Sequence, residues 1–318
     1  MSKSVALRGS QSRVRGFLYG RPWAMDPFKL SAIAAAIDLW ADGKITVSEA
    51  GLEGREARAQ RAAGPAIAGE GIAVLPIHGV IAHRARSVEG MSTGAGVSTE
   101  ILSSQLRGLM SDPGISAIVL DIDSPGGDAS GVEELSAEIR SMRDEKPIIA
   151  FANATAASAA YWIASAANEI VATPSALVGS VGVYMLHEDH SAELEAGGVT
   201  VSMISAGEHK VEANPFQPLE GDARAHLQTL VDERYTAFTN DVGKGRRVSA
   251  KKVRETYGGG RVLPAKTALE VGMVDRVGTL FDAVQRASEL SRRRRNRKAA
   301  NETFQRMLAD DNAAQGGE

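Results

Sequence analysis

The chain contains no cysteine among its 318 residues, and aromatic side chains make up only 5% of it. Without cysteine there can be no disulfide, no thiolate nucleophile and no cysteine-ligated metal site. The net charge is −3, from 36 basic and 39 acidic side chains. The chain as a whole therefore has no electrostatic reason to bind nucleic acid.

Long apolar runs are also missing from the sequence. No stretch reaches the roughly 18 uninterrupted apolar residues that a membrane-spanning helix needs. The positive charges near the N-terminus are not followed by the apolar core, about 7–15 residues long, of a secretory signal. We therefore expect a cytoplasmic protein that does not enter a membrane.

Composition divides the chain into three regions. Residues 1–70 form an N-terminal extension and linker, with helical spacing of apolar residues at 28–40 and a polar, glycine-rich stretch at 51–71. Residues 71–290 form the main domain. Residues 291–318, which open with SRRRRNRK, are a basic and polar C-terminal tail that we expect to be mobile or an interaction helix.

Strands alternate with helices through the main domain, which predicts an α/β fold with a largely parallel sheet covered by helices. Apolar runs predict strands at 72–81, 115–123, 147–153, 169–173, 180–185 and 199–205. Amphipathic spacing and capping residues predict helices at 98–110, 129–143, 155–167 and 219–243, with two shorter helices and a last one near 280–290.

Three motifs carry chemistry in this order. SPGGD at 124–128 follows a strand, and its glycines let backbone N–H groups approach a substrate. Ser158 lies in the alanine-rich stretch NATAASAAYWIA, and a serine needs a base beside it to become a nucleophile. Lys210 lies in a polar loop and can act as that base only if burial keeps it neutral. Each motif alone has an ordinary structural explanation, as a turn, a packed helix residue and an exposed lysine; their order together favours catalysis.

Histidine offers an alternative base. His187 follows Ser158 at a distance suited to a Ser-His-Asp triad of Clp type. The six histidines include no HExxH spacing, and the glycine loop lacks the GxxxxGK[ST] pattern of nucleotide binding. We therefore expect no metal and no cofactor.

Five ordered motifs resemble the SppA (signal peptide peptidase A) family of serine proteases over roughly residues 72–285. They are SPGG after a strand, AASAAYWIA around Ser158, VGSVGV, SAGEHK…NPF with Lys210, and GGGRVLPAKTALEVGMVDRVG. The resemblance implies a crotonase/Clp-protease-like fold of repeated ββα units. It also implies peptide-bond hydrolysis by a Ser/Lys dyad, with Ser158 as nucleophile, Lys210 as general base and Ser180 orienting the lysine.

The same resemblance assigns the oxyanion hole. Gly127 and the backbone N–H of Ala159 match the oxyanion donors, and Gly126 matches the residue that shapes the loop. The chain departs from a common family pattern at Ala159 and Ala160, where glycines are frequent. Alanine still offers its N–H, so the chemistry is retained while the shape of the pocket can differ.

The N-terminal segment FLYGRPWAMDPFKLSAI resembles the leader of the phage capsid-assembly (prohead) protease branch of the family. That branch implies cleavage of scaffold, portal or capsid proteins during head maturation, in the host cytoplasm or inside the procapsid. Family members of this length form homo-oligomeric rings, in which the lysine can reach a neighbouring subunit's serine. Three alternatives stay open: a Clp-type Ser/His protease, a bacterial SppA-like peptidase that degrades proteins and peptides, and a non-catalytic head-assembly binding protein.

Overall fold

A computed structural model describes residues 21–25, 27, 30–31, 33–35, 64–84 and 96–315 of the chain. The residues described within the predicted 28–40 helix are helical. Most of the predicted linker at 51–71 and the last three residues of the tail lie outside the described residues. The three predicted domain boundaries stay predictions.

The strands of the described residues are β1 (Trp23–Met25), β2 (Ala66–Ala68), β3 (Ile72–His78), β4 (Ile81–Ala82), β5 (Val97–Ser98), β6 (Ala117–Ser124), β7 (Gly126–Asp128), β8 (Ile148–Ala157), β9 (Glu169–Ala172), β10 (Leu177–Gly179), β11 (Val262–Pro264) and β12 (Arg276–Val277). Beyond the helical residues near 30, the helices are α1 (Thr99–Ser111), α2 (Val132–Met142), α3 (Ala159–Ser165), α4 (Ser191–Ala196), α5 (Gly221–Arg246), α6 (Ala250–Thr256), α7 (Ala265–Glu270) and α8 (Leu280–Gln315).

The central sheet has the parallel strands β3, β6 and β8 at its middle. Strand β8 forks: its first half pairs with β9, and its last three residues pair with β10. Because β6 and β8 are adjacent and parallel, their carboxyl ends meet at one edge of the sheet. The loop after β6 and the turn after β8 therefore lie side by side.

Both faces of the central sheet are buried, as expected for parallel strands covered by helices. Alternate residues of β6, including Ile118 and Leu120, join the core cluster formed with α1, α2, α3 and α5. Between them, Val119 faces the other way and packs in a second cluster with Ala283 and Ala287 of α8. The period of two in the strand thus assigns its side chains to two helical layers.

Helix α3 is buried along its whole length in the first cluster. Trp162 stacks on Phe238 of α5, with ring centroids 4.5 Å apart and an interplanar angle of 6°. Tyr161 meets Tyr257 edge to face at 6.4 Å. The indole Nε1 of Trp162 donates to Asp241 at 3.2 Å. These contacts hold the start of α3 rigidly against the sheet edge.

A second sheet, with strand order β1-β7-β4-β5, lies beside the carboxyl edge of the first. Its strand β7 is the glycine loop SPGGD itself. β7 pairs antiparallel with β1 and parallel with β4. The strand β1 was not among the sequence predictions.

The predicted α/β class with a largely parallel sheet is confirmed, and so is the start of α1, where the Ser98 hydroxyl accepts from the N–H of Ile101. The helix predicted at 155–167 was wrong at its start. Residues 155–157 instead continue β8 because they find a partner in β10, and the helix begins at Ala159.

Two predicted strands are absent from the described residues. At 180–185, a positive φ of 52° at Ser180 ends the ladder, and only Tyr184 forms an isolated bridge, with Trp23. Residues 199–205 are exposed and lie in no sheet, since alternation alone supplies no partner strand.

The last helix was predicted near 280–290 but runs from Leu280 to Gln315, so the tail is helical through its basic run. This part of the chain is rich in Arg and Ala, which favour helix even without burial. Among the described residues, no helix, including this long one, is both long enough and apolar enough to cross a bilayer.

We predict opposite effects for two helical Gly→Ala substitutions. A β-carbon on Gly245 of α5 would lie 2.0 Å from the Ser165 carbonyl oxygen, whereas one on Gly108 of α1 meets nothing within 4 Å. Gly245→Ala should lower the free energy of unfolding by about 1–3 kcal/mol through overpacking. Gly108→Ala should raise it by about 0.5–1 kcal/mol through helix propensity. Urea denaturation measures both, and equal effects would contradict the close contact between α3 and α5.

Candidate active site

Ser158 stands in a tight turn between the end of β8 and the start of α3. Its φ of 58° and ψ of −119° fall where residues with a side chain are rarely found. The Ser158 N–H donates to the Gly179 carbonyl at 2.6 Å, and its own carbonyl accepts from the Trp162 N–H at 2.9 Å. Backbone strain of this kind, on the order of 1–3 kcal/mol, persists only where surrounding contacts over-determine the conformation.

The hydroxyl of Ser158 is buried but uncommitted. The residue is 1% exposed, and among the residues described its Oγ has no hydrogen-bond partner. A buried hydroxyl without a partner loses solvation free energy, so most such groups are paired. Strain and an unpaired buried hydroxyl together make Ser158 the candidate functional group at this sheet edge.

The glycine loop packs directly on this serine. Gly126 has a φ of +93°, and a β-carbon on it would lie 2.9 Å from the Ser158 Cβ and 2.2 Å from the Ala24 carbonyl oxygen. The Gly126 N–H donates to the Ser124 hydroxyl at 3.1 Å. Only glycine fits here; the Gly126 N–H is taken by the Ser124 hydroxyl, and Gly127 is paired with Ala24 of β1.

Ala159 occupies the first position of α3, where a helical N–H has no acceptor within its own helix. The residue is fully buried next to Ser158. The structure thus brings Ser158, Ala159, Gly126 and Gly127 together, as the sequence predicts. The roles of these residues in catalysis stay predictions.

Ser180 also belongs to this neighbourhood. It follows Gly179, whose carbonyl holds the Ser158 N–H, and its own N–H donates to Arg261 at 2.8 Å. Ser180 is 7% exposed and lines a groove of about 380 Å³. The groove is also lined by Met25, Val183, Tyr184, Tyr235 and Gly260.

Lys210 lies apart from this cluster in the single chain. It is exposed, in a turn where its N–H donates to the Gly207 carbonyl at 3.2 Å. The surrounding segment, residues 199–220, is also exposed for most of its length. The structure therefore does not pair Lys210 with Ser158 within one subunit, and its role as base stays a prediction.

The structure also shows no hydrogen bond between Ser158 and His187, the alternative base. A ring nitrogen of His187 lies 3.1 Å from the Asn214 carbonyl oxygen, and no histidine of the described residues is a partner of Ser158 Oγ. His78 pairs instead with the Asp121 carboxylate at 3.1 Å, a hydrogen bond that raises the pKa of His78 against the opposing effect of its partial burial. In the described part of the chain, no three histidine or acidic side chains gather as metal ligands.

Two contributors escaped the sequence analysis. The Ser124 hydroxyl fixes the Gly126 N–H, and its place inside SPGG was a signal that could have been used. The strand β1 covers the glycine loop, and its signal in the sequence was weaker. Pro22 and Pro27 bracket a short apolar run, but no neighbouring residue indicates which strand it pairs with.

Comparison with known sequences gives one family match and several relatives. Residues 140–294 match the model of Peptidase family S49. The chain is 35% identical to Capsid assembly protease C of Escherichia phage lambda, over 67% of this chain and 48% of that protein. It is 33% identical to Head-tail preconnector protein GP5 of Enterobacteria phage P21, over 67% of this chain and 42% of that protein.

A bacterial relative is Protease 4 of Salmonella typhi, 31% identical over 72% of this chain and 36% of that protein. The chain thus spans about half or less of the length of these three relatives. Among solved structures, a ClpP1 mutant from Listeria monocytogenes matches with a TM-score of 0.39 and 15% identity, covering 66% of this chain and 94% of the ClpP1 chain.

The strain at Ser158 predicts an unusual order of stability. Ser158→Gly and Ser158→Ala both remove the hydroxyl, but only glycine relaxes at a φ of 58°. The free energy of unfolding should be about 1 kcal/mol higher for Ser158→Gly than for Ser158→Ala. Ala160→Gly, in the helix that follows, should instead destabilise. Urea denaturation of the three variants checks this, and a Ser158→Gly protein less stable than Ser158→Ala would contradict the strain.

Proposed function

Since the chain carries a Peptidase family S49 domain, we propose that it is a serine endopeptidase with Ser158 as its nucleophile. One observation carries the choice of residue: the strained, buried and unpartnered Ser158 packs against the glycine loop. A serine held in a turn at a sheet edge, next to the backbone N–H of a helix start and to a glycine loop, suits acyl transfer.

In the proposed reaction a neutral lysine amine takes the proton from Ser158 Oγ as this oxygen attacks the carbonyl carbon of a peptide bond. The N–H groups of Gly127 and Ala159 hold the negative oxygen that forms. The proton passes to the leaving amine as the C–N bond breaks. Water then attacks the acyl-enzyme, giving its proton to the same lysine, and Ser158 is regenerated.

The lysine in question is Lys210, and we propose that a second copy of the chain supplies it. In one chain the residue is exposed to solvent. Burial against a neighbouring subunit would favour the neutral amine, and Ser180 at the groove would orient it. The segment around Lys210 has the character of an interface, because it exposes apolar side chains: Val199, Val201, Met203, Ile204 and Phe216.

A heterologous contact of this kind, repeated from subunit to subunit, forms a ring when the rotation between neighbours closes. The proposed assembly is therefore a homo-oligomeric ring with each active site shared between two neighbours. Ile204, which is fully exposed in one chain, would lie inside the interface.

The proposed substrates are phage scaffold, portal or capsid proteins, cut in the host cytoplasm during head maturation. Two observations support this choice. Two relatives are phage proteins named for capsid assembly and for the head-tail preconnector. The leader with its PWA motif also resembles that of the phage branch of the family.

Substitution separates the proposed dyad from its rivals. Ser158→Ala and Lys210→Ala should each lower the cleavage of casein by at least about a thousandfold. His187→Ala, and Lys251→Ala as a matched exposed lysine, should stay close to wild type. Mass spectrometry of the purified proteins, which reveals autocleavage, provides a second readout.

Other outcomes favour the alternatives. Loss of cleavage in His187→Ala with retention in Lys210→Ala would indicate a Clp-type Ser/His protease. Wild-type protein that stays intact and shows no cleavage dependent on Ser158 would favour a binding role in head assembly.

Shared sites predict complementation between inactive subunits. An equal mixture of Ser158→Ala and Lys210→Ala chains, co-assembled after mild denaturation, should regain about a quarter of the wild-type rate. A site is active only when its serine comes from a Lys210→Ala subunit and its lysine from a Ser158→Ala neighbour, each with a chance of about one half.

Ile204→Asp should reduce both assembly, measured by mass photometry, and cleavage, whereas Phe281→Asp on exposed α8 should change neither. Mixed rings without activity would show that each site lies within one subunit.

A further inference from the structure

The strand β1 is threaded between two segments of the main domain. On one side it pairs antiparallel with the glycine loop, with Trp23 opposite Asp128. On the other side Trp23 exchanges two main-chain hydrogen bonds with Tyr184, of 2.8 and 3.1 Å. Beyond this pair, the Ala129 N–H donates to the Pro22 carbonyl at 3.3 Å. The segment is thus held by backbone hydrogen bonds on both edges.

The register brings a carbonyl of β1 to the nucleophile. In an extended strand, the backbone N–H and C=O groups of successive residues point to opposite sides. Because the N–H and C=O of Trp23 point towards Tyr184, the N–H and C=O of Ala24 point towards Gly127. The Ala24 oxygen and the Ser158 Cβ both border the position where Gly126 lacks a β-carbon, at 2.2 and 2.9 Å. The Ala24 carbonyl therefore faces the proposed oxyanion donor beside the proposed nucleophile.

Side chains anchor the segment as well. Arg21 forms an ion pair with the buried carboxylate of Asp128 at 3.0 Å. Trp23 is 2% exposed and packs in a small cluster with Leu30, Ile33 and Tyr184. Met25 is equally buried and lines the groove that contains Ser180.

We propose that β1 is a built-in occupant of the groove that takes an extended substrate peptide, and that it must leave before the substrate enters. The inference rests on the proposed function, in which a peptide carbonyl must reach Ser158 and Gly127. Backbone pairing along an open strand accepts many sequences, so an extended segment of a protein substrate can replace β1. β1 runs from the position opposite Asp128 to the position opposite Gly126, the residue that packs on Ser158.

A strand that belongs to the same chain competes with a substrate for the groove, because it never diffuses away from the protein. A substrate in solution therefore gains access mainly when β1 is displaced. Weakening β1 should raise the affinity for peptides, and fixing β1 should abolish binding.

The absence of cysteine allows β1 to be locked by one engineered disulfide. Pro22→Cys and Ala129→Cys lie opposite each other, and paired residues of this type have Cα atoms about 5.5 Å apart, within the range of a disulfide. In full-length protein carrying Ser158→Ala, fluorescence polarisation would follow the labelled peptide GRPWAMDP, which has the sequence of residues 20–27. We expect binding at least tenfold weaker to the oxidised than to the reduced form.

Two variants test release rather than locking. Trp23→Ala and the milder Arg21→Ala should each bind the peptide several-fold more tightly than the parent, whereas Phe281→Ala, which removes an exposed aromatic side chain, should not. The single-cysteine proteins should be insensitive to reductant. Mass spectrometry confirms the disulfide, and thermal unfolding confirms that each variant is folded.

The binding readout separates this inference from the proposed function. In protein with Ser158 intact, reduction of the disulfide should raise casein cleavage at least tenfold. If no form cleaves casein, the proposed function fails, but the binding results still decide whether β1 occupies a peptide groove. Equal peptide binding by the oxidised and reduced forms overturns the inference, as does the absence of binding to folded Arg21→Ala protein.

Discussion

The contact between Gly126 and Ser158 is the constraint around which this end of the molecule is organised. β6 and β8 lie side by side and parallel, so the loop that follows one and the turn that follows the other compete for the same space. A residue without a side chain resolves the competition, because any β-carbon at Gly126 would collide with Ala24, Ala157 and Ser158. The close approach places the backbone of the glycine loop directly against Ser158.

The strain at Ser158 is sustained by the burial that follows it. Helix α3 has no exposed residue, and its Trp162 is fixed both by stacking on Phe238 and by a hydrogen bond to Asp241. Burial of one large aromatic side chain is worth roughly 1.5–3 kcal/mol, comparable with the cost of a single strained residue. A well-packed helix can therefore hold its first turn in an unfavourable conformation and keep the hydroxyl in a fixed position.

The single chain holds a partly assembled site. The Ser158 hydroxyl lacks a partner among the described residues, Lys210 stands exposed, and β1 covers the glycine loop. In the functions proposed above, a neighbouring subunit supplies the base, and departure of β1 opens the groove. A protease with both requirements would stay inactive as a free chain.

The sequence by itself determined the features that depend on local pattern. Apolar runs predicted β3, β6 and most of β8, and the small residues of SPGGD and AASAA, taken in their order along the chain, drew attention to Gly126 and Ser158, because such signals lie in neighbouring residues. The sequence did not predict β1, because three residues are too few to show a periodic pattern. It also predicted strands at 180–185 and 199–205, which do not pair into a sheet in the described structure. Only the tertiary structure decided these segments and the exposure of Lys210, because pairing and burial depend on which distant segments come together, and that information is not contained in any local stretch of the chain.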